Sequence, residues 1–338
     1  MPFRQPLSST SFEYPVIEPV AKNAQRPFWS VMIPTYNRLD YLTQTLESIL
    51  IQDPGPTAMQ IEVIDNASSQ DIETVVKTVG RGRINFYRHI TNVGMSANWT
   101  TCIRRAQGYW VHILHDDDVL FPGFYQAYQR FMQAHSDVVM LFCRALEIDA
   151  DGEWQQISYT PPNQAVSGIV QDCLVKLVNG NFISAPGVVV ARRVYEQIGA
   201  FAPSLSYAPD WEMWIRIATV GQMAYIHHPY LQYRVHILSE TAARLPQMKP
   251  LAEIAAIIEL GVRRLPQSMQ KRIRHNARKH YAEYANGYRN RFHQSDQHRL
   301  ALKYAVWLFK LYPSGRNWLR LNKSFFRWCF SQKINCCI

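Results

Sequence analysis

Trp29-Ser30-Val31-Met32-Ile33-Pro34, followed by Thr35-Tyr36-Asn37-Arg38, decides the fold. The first six residues are a short apolar run ended by proline, which reads as a buried strand, and the next four form a polar turn. Working outward, a helix begins at Asn37 or Asp40 and carries Leu39, Leu42, Leu46, Ile49 and Leu50 on one face. A second strand follows at Ile61-Glu62-Val63-Ile64-Asp65. Asp71 then caps a helix bearing Ile72, Val75, Val76 and Val79 that Gly80 closes. A third strand covers 84–88, a helix 96–107, and a fourth strand 109–114. Strands separated by helices of this length imply βαβ crossovers. The expected fold class is therefore α/β, with a sheet that is mostly parallel and flanked by helices.

Further along the pattern loosens. A strand is expected at Val138-Val139-Met140-Leu141-Phe142-Cys143, a hairpin turn at Asp149-Ala150-Asp151-Gly152 and a helix over 169–178. A strand at 186–191, a helix starting near Asp210 and a strand near 223–227 complete the body, and everything beyond about Leu245 reads as helical. The expected organisation is a flexible N-terminal segment over 1–26, an α/β domain over 27–245 and a basic, aromatic-rich helical region over 246–338.

With 47% apolar and 18% charged residues, the chain has the profile of a folded globular protein. Its net charge of +10 is uneven: residues 1–262 hold 19 Lys/Arg against 24 Asp/Glu, and residues 263–338 hold 17 against 2. In the basic region, Tyr304, Trp307, Trp318, Phe325, Phe326, Trp328 and Phe330 lie among Lys310, Arg316, Arg320, Lys323 and Arg327. That mixture fits helices lying on an anionic membrane surface through 263–333, or a helical subdomain whose cations are merely solvated. Nucleic acid is not an expected partner, because nothing in the first 240 residues fits one. No apolar run reaches the ~20 residues needed to span a bilayer, and the first 25 residues lack an apolar export core. The six cysteines form no C-x-x-C pair, which suits a reducing compartment. A cytoplasmic location is expected, with peripheral attachment to the membrane's cytoplasmic face.

Ligands of open parallel sheets bind beyond the carboxyl ends of the strands. The residues there are Thr35-Tyr36-Asn37-Arg38, Asp65-Asn66-Ala67-Ser68-Ser69, Asn92-Val93-Gly94 and His115-Asp116-Asp117-Asp118. All four ends are polar. Three adjacent carboxylates repel one another unless protons or a cation neutralise them, and hard divalent cations favour oxygen ligands together with substrate phosphates. Asp65 offers a carboxylate to a nucleobase or ribose, and Arg38 or Arg88 a charge to a pyrophosphate.

Val31 to Asn37, Asp65 to Ser69, Asn92 to Gly94 and the aspartate triplet resemble, in order and spacing, the inverting family 2 glycosyltransferases of the GT-A fold. Ile198-Gly199-Ala200-Phe201, the stretch Ala208-Pro209-Asp210-Trp211-Glu212, and Tyr233-Arg234-Val235-His236 resemble that family's later motifs, so the likeness covers about 28–240. The resemblance implies a nucleotide-diphosphate sugar donor, first of all a UDP-sugar, and a glycan or lipid-linked acceptor in bacterial-type cell-surface polysaccharide or glycolipid synthesis. It implies Mn2+ or Mg2+ as cofactor, held in a DxD-type motif by Asp117 and Asp118, with His236 as a further ligand. Thr35, Tyr36, Asn37, Asp65, Asn92 and Asp116 would bind the nucleotide. Asp210 would be the base, with Glu212 as fallback, although Pro209 stands where the family carries a glutamate. A sugar nucleotidyltransferase and a non-catalytic nucleotide- or glycan-binding protein of the same fold are the alternatives.

Overall fold

The computed structural model describes residues 12–158, 160–236, 246 and 249–334. The chain divides into two compact units: one comprises 11–173 and 182–237, and the other takes in 174–181 and 238–338.

The first unit is built on one twisted sheet. It begins with β1 (Trp29–Thr35), α1 (Leu39–Leu50), β2 (Met59–Asp65), α2 (Ile72–Gly80), β3 (Asn85–Arg88), α3 (Met95–Arg105) and β4 (Trp110–Ile113). It continues with β5 (Val119–Leu120), α4 (Phe124–Ala134), β6 (Val138–Ile148), β7 (Trp154–Ile157) and β8 (Gly168–Ile169). After α5 (Cys173–Asn179), most of which belongs to the other unit, come β9 (Val189–Ala191), α6 (Arg192–Ile198), α7 (Pro209–Ile217) and β10 (Gln222–Arg234). The strand order is β3-β2-β1-β4-β9-β6-β10-β5, with β7 on β6 and β8 on β10. The expected α/β class holds, and its parallel part is the half that the alternating pattern described: β3, β2, β1 and β4 are all parallel. Beyond β4 the sheet is mixed, because β9 enters antiparallel to both β4 and β6.

Apolar periodicity builds this half directly. Val31, Ile33, Ile61 and Val63 are fully buried against Leu42, Leu46 and Ile49 of α1 and Val76 of α2. Pro34 does not end β1, which pairs with β2 as far as Thr35 opposite Asp65. Met32 turns its carbonyl toward β4, where it accepts from Leu114, so Pro34 two residues on faces the same way. The β4 ladder has stopped at Met32 opposite Ile113, and no partner there requires the missing N–H.

Several boundaries differ from expectation. The left-handed residue closing α2 is Arg81 (φ 46°), and Gly80 remains helical. The helix expected over 169–178 starts only at Cys173, because Gly168 and Ile169 pair with Tyr225 and Ala224. Pro186 lies in a 3-10 turn, leaving β9 with three residues. β10 runs to Arg234, with register breaks around Pro229 that let a proline sit in a long strand. The N-terminal segment expected to be flexible is anchored at residues 14–18. The Pro15 carbonyl accepts from Ala200 N at 2.8 Å, the Glu18 carbonyl accepts from Arg192 at 3.1 Å, and Ile17 is buried. The expected domain end at Leu245 lies outside the described residues.

The second unit contains α8 (Lys249–Arg263), α9 (Gln267–Gln294), α10 (His298–Leu311) and α11 (Gly315–Ile334). Its core includes Ile257, Ile258 and Val262 of α8, Ala277 and Tyr281 of α9, and Tyr304 and Leu308 of α10. Tyr304, one of the aromatics counted in the basic region, is taken up by this helix packing, as is Leu308.

Gly108, between α3 and β4, is set by close approach: a Cβ there would stand 2.7 Å from the backbone of Trp29 and Ser30. Gly108→Ala should destabilise the sheet unit by about 1–3 kcal/mol, measured as a lowered urea midpoint with an unchanged slope.

Candidate active site

The loops after β1, β2 and β3 are tied into one rim by side-chain hydrogen bonds. Asn37 adopts φ 51°, which an asparagine tolerates better than most residues. Its N–H donates to Ser68 Oγ at 2.8 Å and its Oδ1 accepts from Ser69 N at 2.8 Å. Asn66 donates to Asn92 Oδ1 at 3.0 Å and accepts from Val93 N at 2.9 Å. Thr35 is buried at the end of β1, and Tyr36 is exposed with its N–H donating to Asp116 Oδ2 at 3.3 Å. The structure therefore brings Thr35, Tyr36, Asn37, Asn92 and Asp116 to the same sheet edge.

Asp65 reaches that edge with its carboxylate engaged. It is fully buried and accepts from Ser68 N, Ser68 Oγ and Arg88 Nε. Arg88 spends its remaining contacts on the carbonyls of Ser68 and Gln70. As placed, this pair orders the β2 loop, and Arg88 is not turned toward a pyrophosphate. Arg38 is the better-placed cation, since its charge acts on both Asp116 and Asp117.

The aspartate triplet follows β4 directly, and its three members are treated differently. Burial, then the neighbouring Asp117 charge, pushes Asp116 up to about 7. Burial also opposes ionisation of Asp117, but the hydrogen bond from His236 and the charges of His115 and Arg38 hold it below the usual carboxylate range. Asp118 is completely buried, and burial with the Asp117 charge holds it well above that range. Its Oδ1 accepts from Arg234 N at 2.8 Å, while its buried Oδ2 has no hydrogen-bond partner.

That orphaned oxygen tests whether the residues fit a cation. One ligand atom each from His115, Asp117 and Asp118 lies within 4.8 Å of the others, so two carboxylates and an imidazole converge. The donor set fits a divalent ion that accepts oxygen ligands with one nitrogen. Against the expected trio, His115 joins the cluster in place of His236. His236 meets the cluster through Asp117, with Nε2 at 2.9 Å from Oδ2. His115 stacks on Trp99 with ring centroids 5.1 Å apart, a neighbour sixteen positions away that only the fold supplies.

The later motifs converge on the same cluster. Arg234 lays its guanidinium over the Tyr41 ring and donates to the carbonyls of Asp117, Asp149 and Ala150 and to Gln44. Asp210 lies in the first turn of α7, where the helix dipole favours an ionised carboxylate. Burial first, then the charges of Asp118, Asp117 and Asp210, opposes ionisation of Tyr233, so Asp210 and two members of the triplet act on the same phenol. Glu212, the fallback base, is structural. It is fully buried, paired with Arg216 at 2.9 Å, and accepts from Tyr14 at 2.8 Å. The signal for this in sequence is the i,i+4 spacing of Glu212 and Arg216.

Two measurements follow. Removing the Glu212 charge leaves Arg216 buried without its counter-ion, so Glu212→Gln should cost about 3–5 kcal/mol of stability in chemical denaturation. For Asp116, a folded-state pKa raised from 3.8 to about 7 means that ionisation opposes folding, so stability present below about pH 4 is lost as pH rises toward 7. Asp116→Asn should therefore gain stability relative to wild type over that interval in metal-free melting curves. A difference that does not vary with pH would refute the assignment.

Comparisons with known proteins agree with this geometry. Residues 30–198 match the family described as glycosyl transferase family 2. An uncharacterized glycosyltransferase of Rickettsia typhi is 23% identical over 229 residues, 68% of this chain and 70% of that one. The abequosyltransferase of Salmonella typhimurium is 30% identical over 115 residues, 33% of this chain and 34% of its own. Among solved structures, residues 1–349 of Staphylococcus aureus TarS, crystallised with UDP-GlcNAc, superpose with a TM-score of 0.67 at 15% identity, covering 88% of this chain and 87% of that one. That likeness establishes a shared GT-A-type fold. With the family match spanning half the sequence and the polar strand ends gathered on one edge of the sheet, this chain belongs to glycosyl transferase family 2.

Proposed function

We propose that the chain transfers a sugar, with inversion, from a nucleotide-diphosphate sugar to an acceptor hydroxyl. The observation that carries the proposal is the carboxylate cluster after β4, where buried Asp118 Oδ2 makes no hydrogen bond among the described residues and has His115 Nδ1 at 3.6 Å, with Asp117 in the same cluster. A UDP-sugar is the first donor to test, a choice supported by the fold shared with TarS, which was crystallised with UDP-GlcNAc. The acceptor would be a glycan or lipid-linked glycan of a surface polysaccharide. The reaction would take place in the cytoplasm, peripheral to the membrane face; among the described residues no helix is long and apolar enough to cross a membrane.

In this reading Thr35, Tyr36 and Asn37 cradle the nucleoside from β1, and Asn92 and Asp65 keep the adjoining loops in place. Asp116 orients the ribose side of the donor. Asp117, Asp118 and His115 would hold Mn2+ or Mg2+, with His236 orienting Asp117. When bound, the cation offsets the charge developing on the leaving diphosphate. Asp210 takes the proton of the acceptor hydroxyl as that oxygen attacks the anomeric carbon from the side opposite the diphosphate, so one bond forms as the other breaks. Asp210 sits in the first turn of α7, where the helix dipole favours negative charge.

A donor panel read as released nucleoside diphosphate, with and without chelator, tests the reaction class. Asp210→Asn should lower transfer by at least about 100-fold while leaving donor binding within about twofold, as expected for a group acting only on the reacting proton. Transfer by the Asn variant at the wild-type rate would remove Asp210 from the mechanism. Asp117→Asn should instead weaken both donor binding and the Mn2+ dependence of binding, measured by calorimetry without acceptor.

A further inference from the structure

Helix α11 carries its polarity in the reverse of the usual order for a packed helix. Its buried residues are polar, with Leu321 and Trp328 half-buried beside them. Asn317 and Ser324 are buried, Asn317 Nδ2 donates to the Tyr312 carbonyl at 2.8 Å, and Ser324 Oγ meets His293 Nε2 at 2.9 Å and Arg289 at 3.1 Å. Arg320 is held by both oxygens of Glu283 at 3.0 Å. The residues turned outward are large and apolar: Leu319, Phe326 and Phe330 are 54%, 58% and 64% exposed, and Trp318 and Phe325 are 54% and 46% exposed. Helical spacing of about 100° per residue puts the first three on one narrow stripe with Trp318 and Phe325 to one side. On the other side lie Arg316, Lys323 and Arg327. Arg316 is 77% exposed, with only a 4.0 Å approach to Glu283.

We propose that this face of α11 is a docking surface for an anionic lipid bilayer. A protein that left five large apolar side chains in water on one helix would carry an uncompensated solvation cost, so the face is built to be covered. Charge selects what covers it. Residues 315–334 contain five Lys/Arg and no acidic residue, and the whole stretch 263–338 carries 17 against 2. A second copy would bring the same positive surface against itself and be repelled. A polyanion lacking an apolar phase would satisfy the cations and leave Leu319, Phe326 and Phe330 wet. A bilayer with anionic headgroups satisfies both, with rings and leucine in the headgroup–acyl boundary and the three cations beside the phosphates. The helix lies in the interface and does not span it. This narrows the basic region first read from sequence to one helix, because α10 buries Tyr304 and Leu308 within the unit. The proposal gives a surface to the membrane-face placement above. It is read without donor or acceptor, so its failure leaves the transfer chemistry standing.

The test is co-sedimentation of the full chain with vesicles of phosphatidylcholine alone and of phosphatidylcholine mixed with phosphatidylglycerol. Binding is expected to the mixed vesicles only, to weaken as salt is raised, and to drop by on the order of tenfold or more in Leu319→Ser/Phe326→Ser/Phe330→Ser. Because those side chains are outside the helical core, the variant should keep its melting temperature. Lys323→Glu/Arg327→Glu provides a second variant with the same expected loss. Quenching by brominated lipid should diminish in Trp318→Phe. Equal pelleting of wild type and both variants, equal binding to neutral vesicles, or a stable dimer or nucleic-acid complex that masks the α11 face in place of lipid would overturn the proposal.

Discussion

The constraint on which the catalytic unit depends is the crowding of three carboxylates at the end of one buried strand. Left alone, Asp116, Asp117 and Asp118 would repel one another at contact distance in a medium that screens them poorly. The fold answers with an uneven distribution of protons. Asp117 is kept ionised by His236, His115 and Arg38, while Asp116 and Asp118 are driven toward their neutral forms by burial and by Asp117 itself. One strong anion flanked by two reluctant ones is an arrangement that a divalent cation would complete.

Most of what surrounds the triplet serves that arrangement. The end of β10 returns to it twice, through the Arg234 N–H on Asp118 and the His236 imidazole on Asp117. Thr45 of α1 donates to the Asp118 carbonyl at 2.8 Å, fixing the turn from the opposite side. The Asn37–Ser68–Ser69 and Asn66–Asn92 bonds hold the neighbouring loops so that the β1 turn meets the triplet at Tyr36. The Glu212–Arg216–Tyr14 cluster does similar work for α7, with Arg216 also capping the carbonyls of Ile198, Gly199 and Ala200, and so fixes the helix that carries Asp210. Residues 14–18 thereby belong to the sheet unit.

The parallel half of the sheet was legible because its signals are local. An apolar run of six residues, an amphipathic helix and a polar strand end recur in β1–α1, β2–α2 and α3–β4, and each repeat reports itself within a window of about fifteen residues. The mixed half was less legible. β9 is three residues long and pairs with strands that lie far away in sequence, so nothing local announces its direction. Asp65 and Glu212 show the same limit at side-chain level. Both were read as groups facing ligand, since a carboxylate at a strand or helix end looks the same whether it meets substrate or an arginine. Arg88 lies 23 positions from Asp65, and Tyr14 lies 198 from Glu212.

By itself, the sequence determined the α/β class, the edge of the sheet where polar loops collect, the acidic triplet, and the separation of a mildly acidic body from a basic helical end. These depend on periodicity and composition, which are properties of neighbours in the chain. Tertiary structure alone decided that His115 and not His236 joins Asp117 and Asp118, that Asp65 and Glu212 are held by arginines, and that among the basic helices α10 packs inward while α11 turns its aromatics to the outside. Those outcomes depend on which distant groups share a low-dielectric pocket, and burial and charge pairing act through space.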